Sequence, residues 1–143
     1  LKLGKDPHKT IGLFAGLRPS QAKIVTLMGE LKAFPSGQAI IRKGDVGNEM
    51  YVMVNGTADV FLTSDSQRRP VRQMKRGDVF GEMGLIGHHE RTADVIAAED
   101  VEVMAVNERF LDRLQRRYPR ISAKIFLNIA KIISTRLQEA QRT

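Results

Sequence analysis

The most informative stretch of the sequence is FGEMGLIGHHERTADV, residues 80–95. Its first part is glycine-rich and too short for a full helix, so Gly81, Glu82 and Gly84 would open a single helical turn. The backbone N–H groups of such a turn attract an anion, and glycines let the anion approach without obstruction by a Cβ atom. Arg91 comes just before a predicted strand, which could aim its guanidinium at the same anion. These residues alone leave two interpretations open: an anion site or an ordinary loop.

Around this stretch, residues 38–106 alternate short β-branched runs with turn residues, which indicates many short strands. The Asn55-Gly56 pair lies between two apolar runs and predicts a type I′ hairpin, because that turn needs a positive φ at both positions. Strands that follow one another without long intervening helices are typical of an antiparallel barrel or sandwich. The predicted strands cover residues 39–41, 50–54, 58–62, 71–74, 93–97 and 101–106.

Helical periodicity marks both ends of this β region. Apolar residues at helical spacing, with Pro19 at the first position, predict an N-terminal helix over about residues 19–33. Two C-terminal helices are predicted over about residues 108–141, with Asn107 as the N-cap of the first and a break at Tyr118-Pro119. The last helix carries an apolar stripe too broad for one contact surface, so we expect a second chain or an effector domain to cover part of it. The stripe consists of Ile121, Ile125, Phe126, Ile129, Ile132, Ile133 and Leu137.

Length and composition exclude several classes of protein. The chain's 143 residues suffice for one domain over 1–143 and are too few for two of ordinary size. No apolar run approaches the roughly 20 residues of a membrane-spanning helix, so no membrane span is expected. The absence of cysteine excludes disulfides and thiolate metal sites and fits a reducing, cytoplasmic compartment. The chain begins at Leu1 with no signal segment, so we expect a piece of a longer protein.

Positive charge is concentrated in the last quarter of the chain. Residues 108–143 carry nine basic and three acidic residues, a net charge of +6 out of the chain's +7. A basic segment of this kind can contact nucleic acid or anionic lipid. It is also typical of a solvated helix face, and the sequence does not separate the two interpretations.

The histidines and serines give no indication of an enzyme. The only histidines are His8, His88 and His89, and the adjacent pair would point to opposite sides of an extended chain. This set does not reproduce the spaced ligands of a metal site, and no serine is paired with a base. We therefore expect no catalysis, no metal and no cofactor.

The glycine-rich turn and the arginine that follows it resemble the phosphate-binding cassette of cyclic nucleotide-binding domains, the family of catabolite activator protein and of the regulatory subunits of protein kinase A. The resemblance covers roughly residues 11–140. It implies a mainly β fold, an antiparallel jelly-roll β-barrel with an N-terminal helix and two C-terminal helices, the last of which acts as a lid. Further family marks are LFAGL at residues 13–17, IIRKGD at 40–45, GNEMY at 47–51, Asn55-Gly56 and Gly77-Asp78.

The resemblance also assigns roles to individual residues. Glu82 would accept a hydrogen bond from the ribose 2′-hydroxyl, Arg91 would neutralise the cyclic phosphate, and Thr92 would contact the phosphate and the amino group of a syn guanine. Gly84 departs from the family's usual alanine or serine, which keeps the N–H and loosens the turn. Candidates for contact between the lid and the base are Ile132, Ile133 and Arg136. The complete predicted site is Phe80, Gly81, Glu82, Met83, Gly84, Arg91, Thr92 and Ala93, with the N–H groups of Met83, Gly84 and Ala93 facing the phosphate.

The function implied by the resemblance is a non-catalytic sensor that binds cAMP in preference to cGMP. It would signal through its C-terminal helices to an effector domain, covalently linked or associated. One alternative is the effector-binding fragment of a transcription regulator, although this chain contains no DNA-binding motif. Another is a ligand-dead oligomerisation domain, against which Glu82 and Arg91 argue. A homodimer through the last helix stays open, because Lys124, Lys131 and Arg136 would place like charges near its seam.

Overall fold

The structure is a computed structural model that describes residues 12–62, 69–87 and 90–141. The three histidines, His8, His88 and His89, lie outside the described residues. Among the described helices, none is both long enough and apolar enough to cross a bilayer.

Within the described residues, eight strands form two antiparallel four-stranded sheets. The first sheet has the order β1-β8-β3-β6 and the second the order β2-β7-β4-β5. With helices on the outside of the first sheet, this architecture confirms the predicted mainly β fold, the antiparallel jelly-roll barrel with flanking helices. The strands are β1 (Glu30–Phe34), β2 (Ala39–Ile41), β3 (Met50–Asn55), β4 (Ala58–Phe61), β5 (Arg72–Met74), β6 (Val79–Phe80), β7 (Asp94–Ala97) and β8 (Val101–Val106).

Four α-helices and one short 3₁₀ helix flank the sheets. Asn107 caps α3 as predicted, because its Oδ1 accepts a hydrogen bond of 2.9 Å from the N–H of Phe110. The break at Tyr118-Pro119 is also confirmed, since one helix ends just before this pair and the next begins at Pro119. The helices are the 3₁₀ helix (Gly12–Phe14), α1 (Pro19–Met28), α2 (Glu82–Gly87), α3 (Glu108–Arg117) and α4 (Pro119–Gln141).

The first sheet is covered on both faces, because alternate residues of its central strands enter two different cores. Along β3, the side chains of Met50, Val52 and Val54 contact the helices. The side chains of Tyr51 and Met53 point instead into the space between the two sheets. The helical core also contains residues of α1, α3 and the first half of α4, notably Val25, Phe110, Leu114, Ile125 and Ile129. The two C-terminal helices are therefore part of the folded domain and begin at the end of β8.

The predicted extent of the N-terminal helix is wrong. The helix ends at Met28 instead of about residue 33, and the barrel begins with β1 instead of at about residue 38. Every residue of β1 pairs with β8, so sheet pairing overrides the helical spacing of the apolar residues. The chain passes close to Met104 at the boundary, where a Cβ on Gly29 would lie 2.6 Å from the Met104 Sδ.

The turn at Asn55-Gly56 exists, but the hairpin predicted there is wrong. Gly56 has the positive φ of +84° that favours glycine. The flanking strands lie in different sheets, because β3 pairs with β6 and β8, whereas β4 pairs with β5 and β7. A Cβ on Gly56 would lie 2.5 Å from the carbonyl oxygen of Asp100, so neighbouring backbone crowds this crossing. The Asn-Gly pair therefore carries the chain from one sheet to the other.

Candidate functional site

A cavity of about 990 Å³ opens beside α2. This volume lies at the upper end of the range that encloses small organic ligands. Its apolar wall comes from the second sheet and the loop after β4, with Ile41, Val60, Leu62, Val71, Met74 and Val95. Its charged wall consists of Arg72, Glu82, Glu90, Arg91, Arg136 and Glu139. The cavity can therefore hold a molecule with one apolar and one charged end.

All eight predicted site residues line this cavity. Gly81 adopts a φ of +76°, which reverses the chain between β6 and α2. The N–H of Gly84, predicted to face the phosphate, donates to the carbonyl oxygen of Gly81 at 3.1 Å. Phe80 is buried against Tyr51, with ring centroids 5.5 Å apart, so the turn is anchored in the core between the sheets. Met83 and Thr92 are exposed, whereas Ala93 is half-buried.

Arg91 is held by two backbone carbonyl groups, one in the cavity wall and one just outside the cavity. Its Nη1 donates to Gly81 O at 3.0 Å and its Nη2 donates to Glu49 O at 2.7 Å. The guanidinium lies against Gly47 and Gly84, and a Cβ on either glycine would clash with it. A guanidinium has five N–H donors, so two bonds to carbonyls do not exhaust its capacity for an anion. The glycine at position 84 thus makes room for the arginine in this arrangement.

Glu82 is buried at the start of α2, where it meets the last helix. Its Oε1 lies 3.2 Å from Nε of Arg136, and the two side chains are 11% and 21% exposed. Burial raises the pKa of Glu82, while its backbone N–H and the charges of Arg72 and Arg91 oppose this shift without cancelling it. Arg136 also approaches Glu139 at 3.7 Å, and Arg72 approaches Glu139 at 3.9 Å. A chain of alternating charges therefore links α2, α4 and β5.

The lid candidates separate into two groups. Arg136 reaches the cavity, but Ile132 and Ile133 do not line it. The two isoleucines are half-buried and pack against the helical core instead. Arg136 lies about one helical turn after them, where α4 has passed the core and reaches α2. The structure thus places these isoleucines away from the cavity, and their contact with a ligand base stays a prediction.

Sequence reasoning missed several residues of this site. Glu139 could have been found, because it lies three positions after Arg136 and therefore on the same side of α4. Arg72 and Val71 lie next to the loop after β4, and no local pattern distinguishes them from other strand residues. Across the described parts of the chain, no cluster of three or more histidine, aspartate or glutamate side chains could hold a metal ion.

The chain is similar to known proteins over most of its length. A family model described as the cyclic nucleotide-binding domain matches residues 31–118. The cyclic AMP receptor protein of Thermus thermophilus is 32% identical over 129 residues, which cover 90% of this chain and 58% of that protein. The regulatory subunit of cAMP-dependent protein kinase from Aspergillus niger is 35% identical over 105 residues, which cover 73% of this chain and 25% of the subunit.

A solved structure agrees with these matches. The crystal structure of the Thermus thermophilus catabolite activator protein superposes with a TM-score of 0.79 and 31% identity, covering 91% of this chain and 60% of that one. This chain thus spans less than two thirds of the length of these relatives. The cassette residues line one cavity, the family model matches the chain, and a solved relative superposes on it. The chain therefore belongs to the cyclic nucleotide-binding domain family.

Proposed function

We propose that this domain is a non-catalytic sensor that binds a cyclic nucleotide, cAMP in preference to cGMP, in the cavity beside α2. The observation that carries the proposal is that Arg91 and Glu82 line one cavity together with apolar side chains of the second sheet. Arg91 would bind the cyclic phosphate through charge-assisted hydrogen bonds, and Glu82 would accept from the ribose 2′-hydroxyl. The purine would lie against the apolar wall.

The covalent ring of the ligand explains why two fixed residues can select it. In a cyclic nucleotide the phosphate is bonded twice to the ribose, so its distance from the 2′-hydroxyl is nearly fixed. Both protein residues have partners that fix their positions, two carbonyl groups for Arg91 and the Arg136 guanidinium for Glu82. A linear nucleotide must lose torsional freedom to meet both residues, and this loss weakens its binding.

The preference for cAMP rests on the apolar wall. Guanine carries an amino group and a carbonyl at the positions where adenine has a C–H and an amino group, so guanine has one more polar group to bury. The burial of a polar group without a hydrogen-bond partner is unfavourable, which disfavours guanine here. Val60, Leu62 and Val71 offer side chains without hydrogen-bonding atoms. Thr92 offers one hydroxyl for the guanine amino group, which keeps cGMP as the second candidate.

We further propose that α4 transmits binding to an effector, either linked to this domain or associated with it. Glu82 would be contacted by both the ligand and Arg136, so occupation of the cavity changes the environment of an ion pair between α2 and α4. A ligand shifts a conformational equilibrium only by its unequal affinity for the two states, and this ion pair provides such a difference. The second candidate for the function is the effector-binding fragment of a transcription regulator. We also propose that the protein acts in the cytoplasm.

Thermal denaturation with nucleotides tests the proposal. Ligand at about 100 times its dissociation constant adds about 2.7 kcal/mol to the free energy of unfolding. For a domain of this size that corresponds to a rise in Tm of roughly 5–10 °C. We expect the rise with cAMP, a smaller one with cGMP at the same concentration, and little with 5′-AMP. No shift with either cyclic nucleotide at millimolar concentration, or equal shifts with cAMP and 5′-AMP, would contradict the proposal.

A further inference from the structure

Glu49 lies just outside the nucleotide cavity, and its carboxylate accepts hydrogen bonds from three parts of the fold. Its Oε1 accepts from Lys32 Nζ on β1 at 2.9 Å and from the Tyr51 hydroxyl on β3 at 3.3 Å. Its Oε2 accepts from Nδ2 of Asn107 at 3.4 Å. The side chain is only 15% exposed, so the carboxylate is largely surrounded by these partners. None of the family roles described above involves this side chain.

The same residue holds the arginine of the site through its backbone. The carbonyl oxygen of Glu49 accepts the 2.7 Å hydrogen bond from Nη2 of Arg91. A phosphate that accepts from Arg91 would therefore weaken the hydrogen bond between Nη2 and the Glu49 carbonyl, while three partners restrain the Glu49 side chain. Glu49 therefore connects Arg91, through its backbone, with the three residues that its carboxylate contacts.

The contact with Asn107 leads directly to the first turn of α3. Asn107 uses both ends of its amide, since Nδ2 donates to Glu49 and Oδ1 accepts from the N–H of Phe110 at 2.9 Å. A flipped amide would place a donor against the Phe110 N–H and an acceptor against the carboxylate, so the two partners fix its orientation. The amide therefore joins a carboxylate at the cavity to a helix cap.

The charged state of the network agrees with this geometry. The hydrogen bond with Glu49 is the main reason that the pKa of Lys32 is raised. Burial raises the pKa of Tyr51, and the negative charge of Glu49 adds to the increase. An ionised Glu49 with a protonated Lys32 is the arrangement that binds all three donors.

We infer that Glu49 is a positioning residue that couples Arg91 to the N-cap of α3 through Asn107. This inference rests on the proposed function for its biological meaning, because a nucleotide phosphate is what would bind Arg91. The coupling itself is a property of the protein without ligand. Because α3 leads into α4, the network gives the phosphate end of the cavity its own route to the C-terminal helices, separate from the Glu82–Arg136 ion pair.

A double-mutant cycle in the ligand-free protein tests the coupling. The measured quantity is the hydrogen-exchange rate of the Phe110 amide by NMR. In the wild type, Arg91→Ala should accelerate exchange about two- to twelvefold, the range that corresponds to weakening one hydrogen bond. In the Asn107→Ser protein, serine still caps α3 but is too short to bind Glu49. There, Arg91→Ala should change the rate by less than a factor of 1.5.

A matched control uses the other asparagine–glutamate contact of the sheet. Nδ2 of Asn55 donates to Oε1 of Glu102 at 2.8 Å on the surface. In the Asn55→Ser protein, Arg91→Ala should accelerate Phe110 exchange as it does in the wild type. Glu49→Ala is a second test and should remove the response as Asn107→Ser does. If that variant does not fold, the comparison of Asn107→Ser with Asn55→Ser decides alone.

The outcomes separate the coupling from the proposed function. Equal effects of Arg91→Ala in the wild type and in Asn107→Ser, or no effect in the wild type, overturn the coupling whether or not nucleotide binds. A wild type that binds no cyclic nucleotide by calorimetry overturns the proposed function, while the ligand-free cycle still decides the coupling. If both hold, saturating cAMP should alter Phe110 exchange in the wild type and much less in Asn107→Ser.

Discussion

Replacement of Glu82 by alanine should weaken the binding of cAMP far more than the binding of 2′-deoxy-cAMP. The carboxylate is 11% exposed, so a hydroxyl that binds it exchanges few competing hydrogen bonds with water. A hydrogen bond to a charged group contributes about 1.5–3 kcal/mol, which corresponds to a loss of roughly 10- to 150-fold in affinity. The 2′-deoxy analogue lacks the donor and has none of this contribution to lose.

The ion pair with Arg136 complicates a single measurement, but a cycle of four affinities removes the complication. Glu82→Ala also takes the partner from Arg136 at 3.2 Å, which disturbs α4 whichever ligand is bound. This disturbance is common to cAMP and its 2′-deoxy analogue and cancels from the difference between them. The remaining coupling energy belongs to the contact between the carboxylate and the ribose hydroxyl.

Isothermal titration calorimetry of both ligands on both proteins gives the four affinities. Glu139→Ala is the control, because Glu139 lines the same cavity and contacts the same arginine at 3.7 Å. In that variant the two ligands should lose affinity equally. If Glu82→Ala also weakens both ligands by the same factor, the carboxylate does not bind the ribose 2′-hydroxyl, and the assigned role is wrong.

Three further outcomes are expected. Thr92→Ala should lower the affinity for cGMP more than for cAMP in competition binding, and an equal loss would confine the hydroxyl to the phosphate. Because burial raises the pKa of Glu82 above its ordinary 4.5, the folded protein holds this proton more tightly than the unfolded chain. The free energy of unfolding of the wild type, relative to Glu82→Gln, should therefore fall as pH rises from about 4.5 through the raised pKa, and chemical denaturation at several pH values measures it. Truncation after Ile133 removes Arg136 but keeps the buried first half of α4, so it should weaken nucleotide binding without unfolding. Light scattering then shows whether the removed part of α4, which includes the exposed Leu137, supports a dimer.

The residues of the cassette alone predicted a turn with a possible anion site, and the family resemblance identified the cassette because its glycines and charges are close together in sequence. Gly81 and Glu82 form a turn whose conformation depends on local residue types, and Arg91 follows three residues before β7. Asn107 was equally predictable as a cap, since capping involves only the next three residues. Interactions of this range leave a signal in a short window of sequence.

The errors arose where distant pairing overrode a local pattern. Residues 30–34 have helical apolar spacing but pair with β8, which is about 70 positions away. Gly56 has the positive φ that a hairpin turn needs, whereas the choice of sheet depends on strands β5 to β8. Ile132 and Ile133 have the apolarity expected of lid residues, and their packing against the helical core likewise depends on residues distant in sequence.

The Glu49 network carried no signal in the sequence. Lys32 is 17 positions and Asn107 is 58 positions from Glu49, and their contacts depend on the pairing of three strands. The contact that matters for the cavity involves the carbonyl of Glu49, a group that every residue carries. No pattern of side chains could have pointed to that contact.

The most direct test of cyclic-nucleotide binding in this cavity is a calorimetric titration of cAMP into the wild type, Arg91→Ala and Arg42→Ala. Arg42 is an exposed arginine that does not line the nucleotide cavity, so it controls for the loss of one positive charge. Arg91→Ala should weaken binding by roughly 10- to 150-fold, the range for hydrogen bonds to a charged group, while Arg42→Ala stays within about threefold of the wild type. An unchanged dissociation constant in folded Arg91→Ala would contradict the account, because the phosphate would then be bound elsewhere.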